Sequence, residues 1–263
     1  MAFDGIRPTV RQRMTRISSY VIFIAIVVVL AVIGDWKVIA QNFLDLDVAK
    51  ELWPGILRAA FNTIWYTLLS FAVGLVFAVV FALLKMSKGP FKWFATAYIE
   101  LFRGIPALLT IMIMAFAVPI AFKAPFLGGT TGGLIGLIFV TSAYTAEIIR
   151  AGIEAVPKGQ VEAARSLGMG QLRTTVTVVL PQAFRIVIPP LTNELVMLLK
   201  DTSLLYIAGA TILSKELTMF GKSGSATYAN STPYIVVAVF YLVITAPLTY
   251  LVARLEKKMA VKK

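Results

Sequence analysis

Residues 60–84, AFNTIWYTLLSFAVGLVFAVVFALL, contain no charged side chain. As a helix rising about 1.5 Å per residue, this stretch exceeds the roughly 30 Å hydrocarbon core of a bilayer. Five other stretches share its character, at about 17–34, 94–120, 131–149, 182–209 and 233–253. Each is long enough to span a membrane, some with tilt. None alternates apolar and polar residues with a period of two over ten residues, which argues against a β-barrel. The sequence predicts an all-α integral membrane protein with about six transmembrane helices.

Composition supports this. Of 263 residues, 59% are hydrophobic and 14% charged, against roughly 25% charged in soluble domains. Six spans and their loops leave no room for a large soluble domain. The chain has no Cys and no His, which excludes disulfides, thiol catalysis, zinc sites and histidine acid/base chemistry. No metal or cofactor is expected on this chain. The net charge of +12 would suggest nucleic acid in a soluble protein. Here the cations cluster at span ends, so no nucleic-acid partner is expected. The Arg-rich start resembles a signal sequence, but the run from Ile17 to Gly34 is long and no small-residue cleavage site follows. It reads as a retained span.

Lys and Arg in the loops set the orientation. With the N-terminus in the cytoplasm, the inside segments hold 17 cations and the outside segments 6. The inside set is Arg7, Arg11, Arg13 and Arg16; Lys85, Lys88 and Lys92; Arg150, Lys158, Arg165, Arg173 and Arg185; and Arg254, Lys257, Lys258, Lys262 and Lys263. The outside set is Lys37, Lys50, Arg58, Lys123, Lys215 and Lys222. Both termini are therefore expected in the cytoplasm of a multi-pass protein of the cell inner membrane.

Gly128 to Gly133 read as a flexible external turn leading into a span. Gly128/Gly132 and Gly132/Gly136 also fit a small-residue helix-packing pattern. The loop from Arg150 to Leu180 is longer and helix-forming. Pro157 suits the start of a helix and Gly168 its end. Ala163 and Ala164 leave part of that helix thin, so a partner's backbone can approach. Leu167 offers an apolar contact, and Glu162 faces the positive end of the helix dipole. A solvated linker helix with a Glu162–Arg165 pair is the plainer alternative.

The spacing in this loop carries a resemblance. Glu162-Ala163-Ala164, three residues, Gly168 and then Leu180-Pro181 is similar to the EAA loop of ABC-importer permease subunits, with Val178 where the family usually has Ile. Glu100-Leu101-Phe102-Arg103-Gly104-Ile105-Pro106 resembles a segment of polar amino acid permeases, with Ile105 for the usual Thr. Three other segments are similar to the same family: residues 142–152, Leu180-Pro181-Gln182-Ala183, and residues 189–204 from Pro189-Pro190 to Ser203-Leu204. The similarity runs from about residue 55 to the end. It implies a type I importer core of five spans preceded by one N-terminal span. The expected division is a cytoplasmic tail, first span and external loop over 1–55, then a permease core over 56–263 with its coupling loop at about 150–181.

The resemblance further implies that the loop helix docks on a cytoplasmic ATPase through Glu162, Ala163, Ala164, Leu167 and Gly168. Two permease chains, the same or related, would pair over an ATP-binding subunit dimer that carries ATP and Mg. An extracytoplasmic amino-acid-binding protein would deliver the substrate, and the pathway would run between the permease chains.

Ionisable groups at membrane depth are costly and so are functional candidates. Glu194 lies near the middle of its span, beside Asn193 and after Pro189-Pro190. Lys200 and Asp201 follow about two turns on, with Thr202 and Ser203. An α-amino acid needs an acceptor for its ammonium and donors for its carboxylate. Glu194 and Asp201 suit the first, and Asn193, Lys200 and Thr202 the second. A Lys200–Asp201 ion pair at the interface is the alternative. Glu100–Arg103 and Glu147–Arg150, each spaced i,i+3, read as structural ion pairs near the coupling region.

Gly221-Lys222-Ser223 resembles the end of a phosphate-binding loop, but Glu216 stands where that loop needs Gly. No ATP binding, and no enzymatic activity of its own, is expected of the chain. Asn230-Ser231-Thr232 matches a glycosylation acceptor only formally. The expected function is the transmembrane subunit of an ATP-driven importer of a polar amino acid, such as glutamate or glutamine. The alternative is a stand-alone secondary amino acid transporter, although the two halves show no repeated broken-helix pattern.

Overall fold

The computed structural model describes residues 10–209, 211 and 213–259, with side chains from residue 16 onward. Arg7, Lys262 and Lys263 of the charge tally lie outside the described residues, as do the side chains of Arg11 and Arg13.

The described residues form twelve α-helices. α1 (Val10–Ile33) is wholly exposed along its apolar window, as a helix facing lipid would be. α2 (Trp36–Phe43) is short and capped by Asp35, whose carboxylate accepts from the Val38 N–H at 3.1 Å. α3 (Leu46–Met86) has 41 residues and is about 60 Å long, so the 60–84 span is the inner part of a longer rod. Its buried face recurs with helical spacing at Ile56, Ala59, Thr63, Thr67, Ser70, Gly74, Ala78 and Phe81.

The stretch expected as one span over 94–120 is broken. α4 (Pro90–Gly104) and the helical run over 107–121 meet at 105°. Ile105 and Pro106 are both extended, with ψ of 134° and 132°. A residue before proline is driven out of the helical region, so the Ile105-Pro106 step turns the chain. Neither arm, at 15 residues, reaches the roughly 20 residues of a full crossing. The result is five full-length candidate spans, or six if the bent pair counts as one.

The second arm is α5 (Ala107–Met112), a π turn at Ile113–Ala117 and α6 (Val118–Ala121). α7 (Gly129–Glu154) packs chiefly against α3. The glycine turn read into 128–133 is mostly helix: Gly128 caps α7 and Gly129 opens it. A Cβ on Gly132 would lie 2.4 Å from the Met114 and Leu127 carbonyl oxygens, and one on Gly136 would lie 2.9 Å from the Ile111 Cα. The Gly132/Gly136 packing pattern is therefore the operative one, and it seats α7 backbone-to-backbone on the second arm.

Beyond α7 come α8 (Lys158–Ser166), α9 (Gln171–Thr174), a second π turn at Thr175–Val179 and α10 (Leu180–Asp201). A 3-10 turn at Thr202–Ala208 follows, then α11 (Leu217–Tyr228) and α12 (Thr232–Met259). Each π turn sits just before a proline, Pro119 or Pro181. Proline has no N–H to donate, and its ring crowds the carbonyl four residues back, here Ala115 or Thr177. Widening that turn relieves the clash without ending the helix.

Candidate functional site

At one end of the bundle α7 gives way to α8 through Ala155, Val156 and Pro157. Pro157 is the residue before the first helical turn of α8, and its carbonyl accepts from the Gln160 N–H at 3.0 Å. The other end of α8 closes with two reciprocal bonds: Gly168 N–H to Arg165 O at 3.0 Å, and Met169 N–H to Ala164 O at 3.2 Å. This is a Schellman ending, which needs a left-handed residue at Gly168, where φ is +82°. The helix is thus fixed at both ends by its own sequence.

Its faces differ. Ala164 is buried at 6% exposure and turns toward α9 and the second π turn. Glu162 and Ala163 are exposed, and Leu167 is 84% exposed. A docking partner can therefore reach Glu162, Ala163 and Leu167, whereas Ala164 holds α8 to its own chain. The expectation that both alanines form the thin outer surface is corrected on this point, because neighbouring helix positions point about 100° apart. Glu162 and Arg165 form no ion pair among the described residues. The Arg165 guanidinium donates instead to Met169 O at 2.8 Å.

The same end holds a charged network. Arg150 grips Glu147 in a fork, Nη2 to Oε1 at 2.6 Å and Nε to Oε2 at 3.1 Å. Lys85 of α3 reaches the same carboxylate at 3.2 Å, and Arg150 also contacts Glu154. The Glu147–Arg150 pair is present, and Lys85, read only as a loop cation, ties it to a second helix. The expected Glu100–Arg103 pair is absent among the described residues. Arg103, in the last turn of α4, lies 5.5 Å from the centre of the Tyr144 ring. Its guanidinium crosses to α7 rather than running back along α4, and Glu100 lines an open hollow with Lys92, Trp93 and Thr96.

The five residues expected on a substrate pathway do not share one environment. Pro190, Asn193, Met197 and Lys200 form an exposed stripe along α10. Asn193 Nδ2 contacts the Met197 sulfur at 3.7 Å. Glu194 and Asp201, seven residues apart and on one face, are half-buried. Neither they nor Lys200 form an ion pair among the described residues. Thr202 is fully buried, its hydroxyl donating to Leu199 O at 2.6 Å.

Thr202 leads instead to a polar cluster at the other end of the bundle, which the sequence did not reveal. Glu216 is buried at 2% exposure and caps α11, accepting from the Met219 N–H at 2.6 Å and from the Thr218 N–H. The Tyr241 hydroxyl lies 3.1 Å from Thr218 Oγ1 and 3.4 Å from the Glu216 carboxylate, and it also meets Thr202. Thr63 Oγ1 accepts from the Leu217 N–H at 3.1 Å. Burial pushes the Glu216 carboxyl up to about 7, against the lowering effect of its N–H donors. Glutamate is not a favoured cap residue, so no pattern marks position 216 in advance. Gly221-Lys222-Ser223 lies within α11, with Gly221 packed on Val237.

Residues 73–261 match the family described as binding-protein-dependent transport system inner membrane component. A probable glutamine ABC transporter permease protein, GlnM of Bacillus subtilis (strain 168), is 38% identical over 200 residues, covering 76% of this chain and 90% of that one. The arginine transport system permease protein ArtQ of the same organism is 33% identical over 219 residues, covering 82% and 97%. A chain of an amino acid ABC transporter, crystallised with histidines, superposes with a TM-score of 0.74 at 33% identity, covering 82% of this chain and 98% of that one.

Proposed function

The chain belongs to the family of binding-protein-dependent transport system inner membrane components, and from that premise we propose how its residues divide the work of importing a polar amino acid. It is an ABC-importer permease and not a stand-alone carrier. Permeases of this family work with an ATPase and a substrate-binding protein. The proposed assembly has two permease chains, the same or related, over an ATP-binding subunit dimer, with ATP and Mg on the ATPase and both permease termini in the cytoplasm. The proposed permease core is 56–263, preceded over 1–55 by the tail, the first span and an external segment that holds α2 and the first turns of α3.

The observation that carries the energy-coupling role is the outward face of α8. A nine-residue helix, locked by a Schellman ending, presents Glu162, Ala163 and Leu167 on a rigid mount. A rigid mount suits transmission of force, because a docking contact made on a flexible loop would dissipate the motion it receives. The charged network of Lys85, Glu147, Arg150 and Glu154 at the same end joins α3 to α7, so a push on α8 acts on two long helices together.

The substrate role falls to the exposed stripe of α10 with its half-buried neighbours. Asn193 and Glu194 line the pathway about 20 Å along the helix from Leu180, and Lys200 and Asp201 stand further on. Glu194 accepts from the ammonium group of an α-amino acid, and Asn193 and Lys200 donate to its carboxylate. Thr202 supports the path from behind through Tyr241. The named relatives handle glutamine and arginine, so glutamine, glutamate or another polar amino acid is the expected cargo. The test is uptake by proteoliposomes holding the full complex, against a panel of amino acids. ATP-dependent uptake of a polar amino acid supports the reading, and uptake without ATP on an ion gradient overturns it.

A further inference from the structure

At the end of the bundle opposite α8, a cleft of about 180 Å³ opens between α3 and the chain that leads into α11. Arg58, Asn62, Leu213, Lys215 and Phe220 line it, with Gly55 at its edge. It is held open by local structure. Asn62 Nδ2 donates to the Leu213 carbonyl at 3.0 Å and to the Lys215 carbonyl at 2.9 Å. This fixes the backbone of Lys215 one turn along α3 from Arg58. On the far wall the Phe220 ring lies on Gly55, where a Cβ would come within 2.6 Å. The two cations therefore line one cleft whose walls are fixed by hydrogen bonds and packing in which neither charged head takes part.

Neither head has a carboxylate partner among the described residues. Five described acids at this end are engaged elsewhere, and Asp201, the last residue of α10, forms no ion pair with either cation. Asp35 caps α2, Asp45 caps α3, Asp47 pairs with Lys50 at 3.0 Å, Glu51 bonds the Tyr228 hydroxyl, and Glu216 caps α11. Two like charges lining one cleft without a carboxylate partner suit an anion from outside the chain.

The surroundings say which anion. Beside Arg58, α3 presents Trp53, Leu57, Phe61, Ile64 and Leu68 on one exposed face, with Phe61 65% exposed. Leu213, at the mouth of the cleft, is 61% exposed. This face continues into the 60–84 span. Arg58 thus stands two residues before the uncharged 60–84 run, where a span of that length would bring a cation to the level of lipid phosphates. An apolar border of this extent fits a lipid surface, and a protein acid is the other occupant that the test below separates.

We propose that the Arg58–Lys215 cleft binds the phosphate of an anionic phospholipid headgroup, with an acyl chain along the Leu57–Phe61–Ile64 face of α3. A membrane-surface cation contributes about fivefold in affinity, so removing both weakens the site roughly thirtyfold.

The test uses the assembled permease–ATPase complex, purified in mild detergent and titrated with phosphatidylglycerol or phosphatidylcholine under native mass spectrometry. The expected result is a phosphatidylglycerol retained by each parent permease chain, lost in R58A/K215A and in R58Q/K215Q, and kept in a K50A control. Phosphatidylcholine should not be retained. Equal retention of phosphatidylglycerol by the parent and both double variants overturns the proposal. Displacement of the lipid by millimolar inorganic phosphate would identify a simple anion site and also overturns it. So does a double variant that keeps its lipid but no longer captures the substrate-binding protein, because the cleft would then serve a protein acid.

Discussion

Lys85 of α3 and Glu147 of α7 meet at 3.2 Å although 62 residues separate them in the chain. Arg150 holds the same carboxylate from the other side. The three side chains are about one-fifth exposed, so each charge depends on the others for its solvation. Glu147→Ala leaves two cations facing each other. The expected loss is about 2 kcal/mol of stability, below the roughly 3–5 kcal/mol of a fully buried pair. Thermal unfolding in detergent reads it, and a Lys85→Met/Glu147→Leu double variant should recover part of it. An unchanged melting temperature for Glu147→Ala would mean the network is a surface ornament.

The two faces of α8 separate stability from docking. Ala163→Leu enlarges the exposed face and should weaken capture of the ATPase subunit while the permease melts normally. Ala164→Leu forces three heavy atoms into a packed contact and should lower the melting temperature itself, through a stability loss of about 1–3 kcal/mol. Reversal of the two phenotypes would show that the ATPase approaches from the other side.

Gly168→Ala places a Cβ at φ +82°, a cost of about 1–2 kcal/mol. Gly168→Asp adds a charge where the chain leaves α8. Both, with Glu162→Ala, should reduce ATP hydrolysis stimulated by loaded binding protein, in the order Asp, Ala at 168. Substrate binding to the external protein should not change. Full stimulation in all three variants reduces α8 to a linker.

Glu194→Ala should impair uptake while leaving complex assembly and melting intact, because the half-buried side chain beside the exposed stripe has no ion pair among the described residues to lose. A loss of assembly would assign Glu194 to an interface, and parental uptake would remove it from the pathway.

Glu216 ties a buried carboxyl to pH. Its folded-state value of about 7 stands above the ordinary 4.5. The folded state therefore binds the proton more tightly than the unfolded chain. The stability this contributes is fully present below pH 4.5 and is lost as pH rises through about 7. Glu216→Gln keeps an oxygen for the α11 cap and cannot ionise. Melting curves between pH 5 and 8 should fall with pH in the parent, and the fall should be shallower in the variant. Parallel curves would place the titration elsewhere.

The chain has no native Cys, so single cysteines report sidedness directly. Lys88→Cys should resist an impermeant reagent in intact cells, and Lys123→Cys should react. The opposite result inverts the charge-based orientation.

The long rods were legible because their apolar runs leave one solvent choice. The start of α12 falls within a residue or two of expectation, and Pro157 and Gly168 bracket α8 as their backbone preferences require. The break at Ile105-Pro106 was not, because apolar content alone continues across it. Only the effect of Pro106 on its predecessor marks the turn, and that effect is equally compatible with a kinked span. Side-chain partners across helices were also hidden. Arg103 found a ring on α7 in place of the carboxylate on its own helix, and Lys85 found a carboxylate that spacing along its own helix could never supply. Glu216 was invisible for a related reason: its burial comes from α3 and α12, neither of which is near it in sequence.

The π turn at Thr175–Val179 acts as a one-residue shim. Each residue turns an α-helix by roughly 100°, so one surplus residue there sets the azimuth of everything downstream. Were Pro181 able to donate an N–H, the turn could tighten. Asn193 and Glu194 would then swing toward a different neighbour with no change in their own sequence. The bearing of the α10 stripe is thus decided a dozen residues upstream, at a proline that touches no cargo.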